Sequence, residues 1–226
     1  MEFCEDAFAI SCGQHSRDLR IVVADGASAS SFSGTWAGLL TQAFASQPFS
    51  DPENLASRLE ELGRLWSVDV FRRPLPWHAI ERAKRGAFAA IAGLSISESG
   101  GWFGMAVGDC CIFQFRDSEL IEAFPISDPT AFTNTPTLLT TNNERNDSAV
   151  QQSRFVTGSV ALGDIFVLAT DAAAQFLLER QQDGTTLNTL RHLMESDTAA
   201  SIFLEANRNL KLLRNDDVAI ALVELL

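Results

Sequence analysis

A chain of 226 residues, 46% hydrophobic and 20% charged, is long enough for one sizeable core and has the make-up of a folded globular domain, which excludes disordered and fibrous classes. Its formal net charge of -12, from 29 acidic against 17 basic residues, disfavours non-specific attachment to nucleic acid or anionic lipid. Such an excess is compatible with divalent cations, although a solvated acidic surface accounts for most of them.

No composition break or internal repeat divides the chain, so residues 1–226 read as a single domain. Met1 begins close to strand-like sequence without a basic, then apolar, leader, and no apolar run approaches the ~18 residues of a membrane span. The expectation is a cytoplasmic protein with no membrane partner. Cys4, Cys12, Cys110 and Cys111 lack the paired spacing of a zinc site and read as reduced, mostly buried residues.

Phe3 to Ser11 and Leu19 to Ala24 read as neighbouring antiparallel strands across a polar turn containing Gly13. Ile21 to Ala24 is an apolar, largely β-branched run, and it ends in Asp25-Gly26. A carboxylate at a strand tip is held in place yet open to solvent, and the glycine lets backbone and ligand approach closely, a suitable place for a metal ion. A small-residue loop, Ala27 to Ser33, leads into a helix over Gly34 to Phe44 with Trp36, Leu39, Leu40 and Phe44 on one face.

Asp51-Pro52 has the chemistry of an N-cap followed by proline at the first helical position, and Leu55, Leu59, Leu62 and Trp66 recur at helical spacing. A second helix is expected from Trp77 to Ala92, with His78 structural at its start. Arg64, Arg72, Arg73, Arg82, Lys84 and Arg85 cluster here, either as a docking patch for an acidic or phosphorylated partner or as a solvated face. Their positions do not repeat at one helical interval, which favours the solvated face.

Trp102 to Val107, Cys110 to Phe115 and Leu120 to Phe124 read as a meander, turning at Asp117-Ser118. From Ser127 to Ser153 the composition is that of a long irregular excursion, a class of loop that is usually functional or mobile. Order returns at Val156, and Ile165 to Ala169 is a second strongly apolar strand, ending in Thr170-Asp171. Ala172 to Gln182 is a helix stopped by Asp183-Gly184. Two more helices carry Leu187, Leu190 and Met194, and Ile202, Ala206, Leu210 and Leu213, before Asn215-Asp216-Asp217 and a terminal strand, Val218 to Val223.

Asp25 and Asp171 thus follow their strands and Asp216 precedes its own, so an antiparallel partner entering where two others exit brings all three to one edge. Their wide separation along the chain excludes a local calcium loop. Carboxylates without histidine or thiolate partners suit Mg²⁺ or Mn²⁺, and two such ions sharing a water lower its pKa and neutralise phosphate oxygens. Any one Asp at a strand end, taken alone, is commonly a turn or cap residue.

Cys4-Glu5-Asp6-Ala7-Phe8, Val23-Ala24-Asp25-Gly26, Val107-Gly108-Asp109-Cys110, Gly163-Asp164 through Leu168-Ala169-Thr170-Asp171, and Asn215-Asp216-Asp217-Val218-Ala219 form an ordered set. In that order they resemble the motifs of the metal-dependent serine/threonine protein phosphatases of type 2C, as a divergent, bacterial-type member. The resemblance implies an α+β fold, a four-layer αββα sandwich of two antiparallel β-sheets flanked by helix pairs. It also implies a centre of two Mn²⁺ or Mg²⁺ ions in which Asp25 bridges, the Gly26 carbonyl completes one ion, and Asp171 and Asp216 hold the other. Glu5 and Asp6 would orient metal-bound waters, and Asp109 matches a ligand to a third, weaker metal whose companion carboxylate is here Gln175.

The implied activity is hydrolysis of phosphoserine or phosphothreonine in a protein substrate by metal-activated water. A cognate serine/threonine kinase is the implied partner, the chain a monomer, and residues 127–153 the family's variable flap. Three positions depart from the pattern: Met1 stands at the phosphate-binding arginine, Ala172 at the glycine after Thr-Asp, and Ala27 where some relatives carry a histidine thought to protonate the leaving group. A catalytically weak relative that acts as a phosphoprotein-binding module, and a phosphatase for a small phosphorylated metabolite, are the rival readings.

Overall fold

The computed structural model describes residues 4–12, 18–72 and 74–226. Its organising strand is β2 (Leu19–Gly26), which pairs antiparallel with β1 (Ala7–Cys12) on one side and β3 (Phe88–Ile96) on the other. β4 (Gly101–Val107) and β8 (Arg154–Ser159) continue this sheet in the order β1-β2-β3-β4-β8, and the two-residue β7 (Leu139–Thr140) pairs with the start of β3. The second sheet, also antiparallel, runs β10 (Ile220–Glu224), β9 (Ile165–Ala169), β5 (Cys111–Arg116), β6 (Glu119–Phe124).

The apolar runs at Ile21 and Ile165 are continuous because both faces of each strand are covered. From β2, Val22 packs toward α1 (Ser33–Ser46) and α2 (Pro52–Phe71) with Trp36, Leu40 and Leu59, while Ile21 and Val23 face Phe166 and Leu168 of β9 between the sheets. From β9, Val167 and Ala169 pack with Leu177 and Leu190 of α5 (Asp171–Gln182) and α6 (Thr186–Glu195). Three apolar layers therefore separate four layers of structure, the αββα sandwich of an α+β fold. The short α3 (Trp77–Ala83) and α4 (Asp147–Gln151) and the longer α7 (Asp197–Asn209) complete the seven helices among the described residues.

Several local expectations hold. Asp51 caps α2 by accepting from the Asn54 N–H, with Pro52 at the first position, and Asp117 and Ser118 both take positive φ in the β5–β6 hairpin. The helix expected from Trp77 to Ala92 ends instead at Ala83, and its second half belongs to β3. Ala and Ile there read as helix formers, but Ala89 and Ile91 pack against the helices while Ala90, Ala92 and Leu94 pack between the sheets, the period of two that a strand requires. The expected meander is also broken, since β4 lies in the first sheet and β5 in the second.

The face Ile202, Ala206, Leu210 of α7 turns out exposed, with Ile202 at 64% and Leu210 at 68%, and Leu213 is buried. Cys110 and Cys111 are buried but Cys4 and Cys12 are exposed, all four free thiols. Phe3, the turn at Gly13 and Arg73 lie outside the described residues. Among the described residues no helix is long and apolar enough to cross a membrane.

Candidate active site

β2 and β9 contact each other across the sandwich, and their tips present Asp25 and Thr170-Asp171 at the same end. Asp25 is fixed opposite Ala90, and Gly26 opposite Ala89. A Cβ on Gly26 would lie 2.6 Å from the Glu5 carbonyl oxygen and 2.8 Å from the Ser33 carbonyl carbon, so only glycine lets the amino-terminal segment and the start of α1 close on this tip.

That segment is tied down from three directions. The Glu5 N–H donates to Asp217 Oδ2 at 2.7 Å, and the buried Ser33 hydroxyl donates to Glu5 Oε1 at 2.9 Å. The Thr170 hydroxyl donates to Asp6 Oδ2 at 2.8 Å and accepts from the Ala219 N–H at 3.0 Å. Asp6, Asp171 and Asp216 thereby lie near enough for their charges to act on Asp25, and Glu5 and Asp217 are tied to each other beside Asp6, although residues 5 and 217 stand near opposite ends of the chain.

Asp109 enters by way of Gly108, whose φ of +91° and close approach to Ala90 turn the chain from β4 of one sheet toward β5 of the other. Asp109 is 4% exposed and its Oδ1 has no hydrogen-bond partner among the described residues. Gln175 bonds Glu179 at 3.2 Å rather than Asp109. Asp171 is buried, with Oδ1 accepting from the Ala172 N–H and Oδ2 from Arg214 Nη1 at 2.9 Å. Asp216 is exposed, and its Oδ1 accepts from the Asp217 N–H at 3.0 Å.

The electrostatics record the convergence. Burial first, and then the negative charges of Asp6, Asp171, Asp109 and Asp216, push the Asp25 carboxyl well above the usual range. Asp6 is likewise raised by burial and by the charge of Asp217, against the opposing Thr170 hydrogen bond. Burial and Asp171 raise Asp109 to about 6, and burial raises Asp171 while Arg214 opposes it.

A set of oxygen-only donors, two of them buried and three half-buried, with one buried carboxylate oxygen left without a partner, matches the chemistry of a hard divalent cation. The donors are not drawn together into a ligand set: among the described residues no three His, Cys, Asp or Glu side chains are disposed to hold an ion. Like charges repel, and the Ser33 and Thr170 hydroxyls, the Ala172 N–H and the Arg214 guanidinium already occupy oxygens of Glu5, Asp6 and Asp171. The donor chemistry fits such an ion, and Arg214 stands where one would compete.

The carboxylates assigned a role from the sequence, Glu5, Asp6, Asp25, Asp109, Asp171 and Asp216, lie at this end of the sandwich, whereas the motif residue Asp164 precedes β9 at its other end. Sequence reasoning missed four residues that hold them: Ser33, Thr170, Arg214 and Asp217. Thr170 and Asp217 stand inside the quoted motifs but carry no role from the sequence, whereas nothing local marks Ser33 or Arg214.

A family model described as "Protein phosphatase 2C" matches residues 2–213. Among solved structures, the fold is similar to the serine/threonine phosphatase Stp1 from Staphylococcus aureus, with a TM-score of 0.61 at 15% identity, covering 100% of this chain and 90% of that one. A serine/threonine phosphatase of S. agalactiae aligns with a TM-score of 0.59 at 13% identity over 100% of this chain and 95% of that one. A bacterial serine phosphatase bearing an R161A mutation gives 0.58 at 14% identity over 100% and 93%. A search of curated protein sequences found no match.

Proposed function

We propose that this chain, which belongs to the protein phosphatase 2C family, is a divalent-metal-dependent phosphatase acting on phosphoserine and phosphothreonine in a protein substrate. One observation carries the reading: Asp6, Asp25, Asp109 and Asp171 converge with Asp216 on one end of the sandwich, closely enough that neighbouring carboxylates raise the proton affinity of the first four. Asp25 with the Gly26 carbonyl, Asp171 and Asp216 would hold two Mn²⁺ or Mg²⁺ ions, with Asp109 available to a third. The chemistry such ions supply is activation of a water nucleophile and neutralisation of phosphoryl oxygens.

The chain's own residues prepare the site. Ser33 and Thr170 fix Glu5 and Asp6 as oriented acceptors for water, and Asp217 holds the Glu5 backbone beside them. Gly26 keeps the strand tip free of a side chain, so the backbone of Glu5 and of Ser33 can close on it. Ala27 offers no proton to the leaving group, so that proton would come from solvent. A cognate kinase that supplies the phosphoprotein belongs to the same reading.

A second reading, a phosphoprotein-binding module with little turnover, is favoured by the Arg214 guanidinium on Asp171, which puts a fixed cation where a metal is wanted. The two separate in one experiment. Hydrolysis of an aryl phosphate and of a phosphothreonine peptide is measured with Mn²⁺, with chelator, and for Asp25→Asn. The phosphatase reading expects turnover that chelator abolishes and Asp25→Asn lowers at least ~100-fold; metal binding without turnover supports the module, and turnover indifferent to both treatments overturns the reading.

A further inference from the structure

Arg82 and Arg85 belong to the basic cluster for which the sequence favours a solvated face, yet both line a cleft of about 620 Å³. Its opposite wall is the loop of residues 27–31, which begins directly after Gly26, and Phe88 and Leu138 close it. The loop is not loose. The Ala27 N–H donates to the Phe88 carbonyl at 2.9 Å, and the Ser30 hydroxyl accepts from the Phe88 N–H at 3.2 Å while donating to the Ala27 carbonyl at 2.9 Å.

The other described cations of the 72–85 stretch are engaged: Arg72 lies 3.5 Å from Asp69, and Lys84 bonds Glu81 at 2.7 Å. Arg82 and Arg85 form no ion pair among the described residues, although the charge of Arg85 acts on Glu81, itself bonded to Lys84. A third guanidinium, that of Arg145, sits over the Phe88 ring at 5.7 Å. In a chain of net charge -12, a concave site walled by unpaired arginines and joined to the carboxylate end of the sandwich is an anion site rather than a solubilising face.

We propose that Arg82 and Arg85 bind an acidic side chain one to three residues away from the phosphorylated residue of a protein substrate, so that the chain selects phosphoserine or phosphothreonine in an acidic context. This rests on the phosphatase reading for where the phosphoryl group lies. An extended peptide advances about 3.3 to 3.6 Å per residue, so a group anchored beside Gly26 places its near neighbours along the 27–31 wall. Guanidinium forks recognise carboxylates through paired N–H donors. The arginines are exposed, so salt screens the contact and its contribution is to selectivity more than to raw affinity.

The test uses labelled peptides carrying a non-hydrolysable phosphonate analogue of phosphoserine, flanked by Asp and Glu, by Ala, or by Lys, titrated by fluorescence anisotropy. The acidic peptide is expected to bind about tenfold more tightly than the Ala peptide, the Lys peptide more weakly still, with the gap closing at high salt. In the Arg82→Ala, Arg85→Ala double variant the preference should fall to within twofold, and Arg82→Lys, Arg85→Lys should restore part of it. Equal binding of the three peptides by the unmodified chain, or a preference that survives the double alanine variant, overturns the proposal. Aryl phosphate hydrolysis measured alongside keeps the two readings apart: acidic preference without turnover retains the cleft and sinks the phosphatase, and turnover without preference does the reverse.

Discussion

Arg214 Nη1 lies 2.9 Å from Asp171 Oδ2, joining an arginine that is 40% exposed to a carboxylate buried at the first residue of α5. The guanidinium is the one cation hydrogen-bonded to the buried carboxylates of the candidate site among the described residues, and it opposes the rise in Asp171 proton affinity that burial causes. A divalent ion taking Asp171 as a ligand would compete with this bond and sit beside a positive charge.

Removing the competitor should therefore help the ion. Arg214→Ala is expected to tighten Mn²⁺ binding about three- to tenfold in calorimetric titration at neutral pH. Unchanged or weaker binding would mean that Arg214 positions Asp171 for the ion instead of standing in for it.

Gly26 has no room for a methyl group. With a Cβ forced to 2.6 Å from the Glu5 oxygen and 2.8 Å from Ser33, Gly26→Ala should push the amino-terminal segment off the strand tip. A loss on the order of 2 kcal/mol in urea denaturation is expected, with a weaker Mn²⁺-induced rise in melting temperature. A variant of full stability would show that the segment re-seats at no cost.

Asp164, one of the motif residues, proves structural. It is fully buried and accepts from Arg116 Nε and Nη2, from Gln114 Nε2 and from the Ala161 N–H, at 2.7 to 2.8 Å. Arg116 first, then the backbone and Gln114 hydrogen bonds, hold its carboxyl below the usual range despite burial. A depressed folded value means that the unfolded chain takes the proton first, so this stabilisation is present above about pH 4 and lost as pH falls through the folded value. Asp164→Asn should lower the urea midpoint at pH 7, and its deficit against the unmodified chain should shrink toward pH 3. A deficit independent of pH would assign the effect to hydrogen-bond shape and not to charge.

Much of the architecture was legible because the physical signal was local. The β-branched run at Ile21 announced a strand buried on both faces, and Asp51-Pro52 announced the start of α2. The order of the acidic motifs along the chain announced the family. Where the structure departed, a non-local force had decided: Phe88 to Ile96 has the alanine content of a helix, but the space between α1 and the second sheet admits only a strand there. The crossing between sheets at Gly108 and the exposed face of α7 are decided in the same way by packing partners that the local pattern does not contain.

The sequence by itself determined which carboxylates lie at strand tips, because a strand's end and its acidic residue are written in adjacent positions. Only the tertiary structure decided the state of those carboxylates. Asp217 reaches Glu5 across nearly the whole chain, Thr170 takes Asp6, Arg214 takes Asp171, and Asp109 keeps an oxygen without a partner. Charge and hydrogen bonding act over a few ångströms of space irrespective of separation along the chain, so which oxygen is already held and which is available to an ion emerges only once distant segments are packed together.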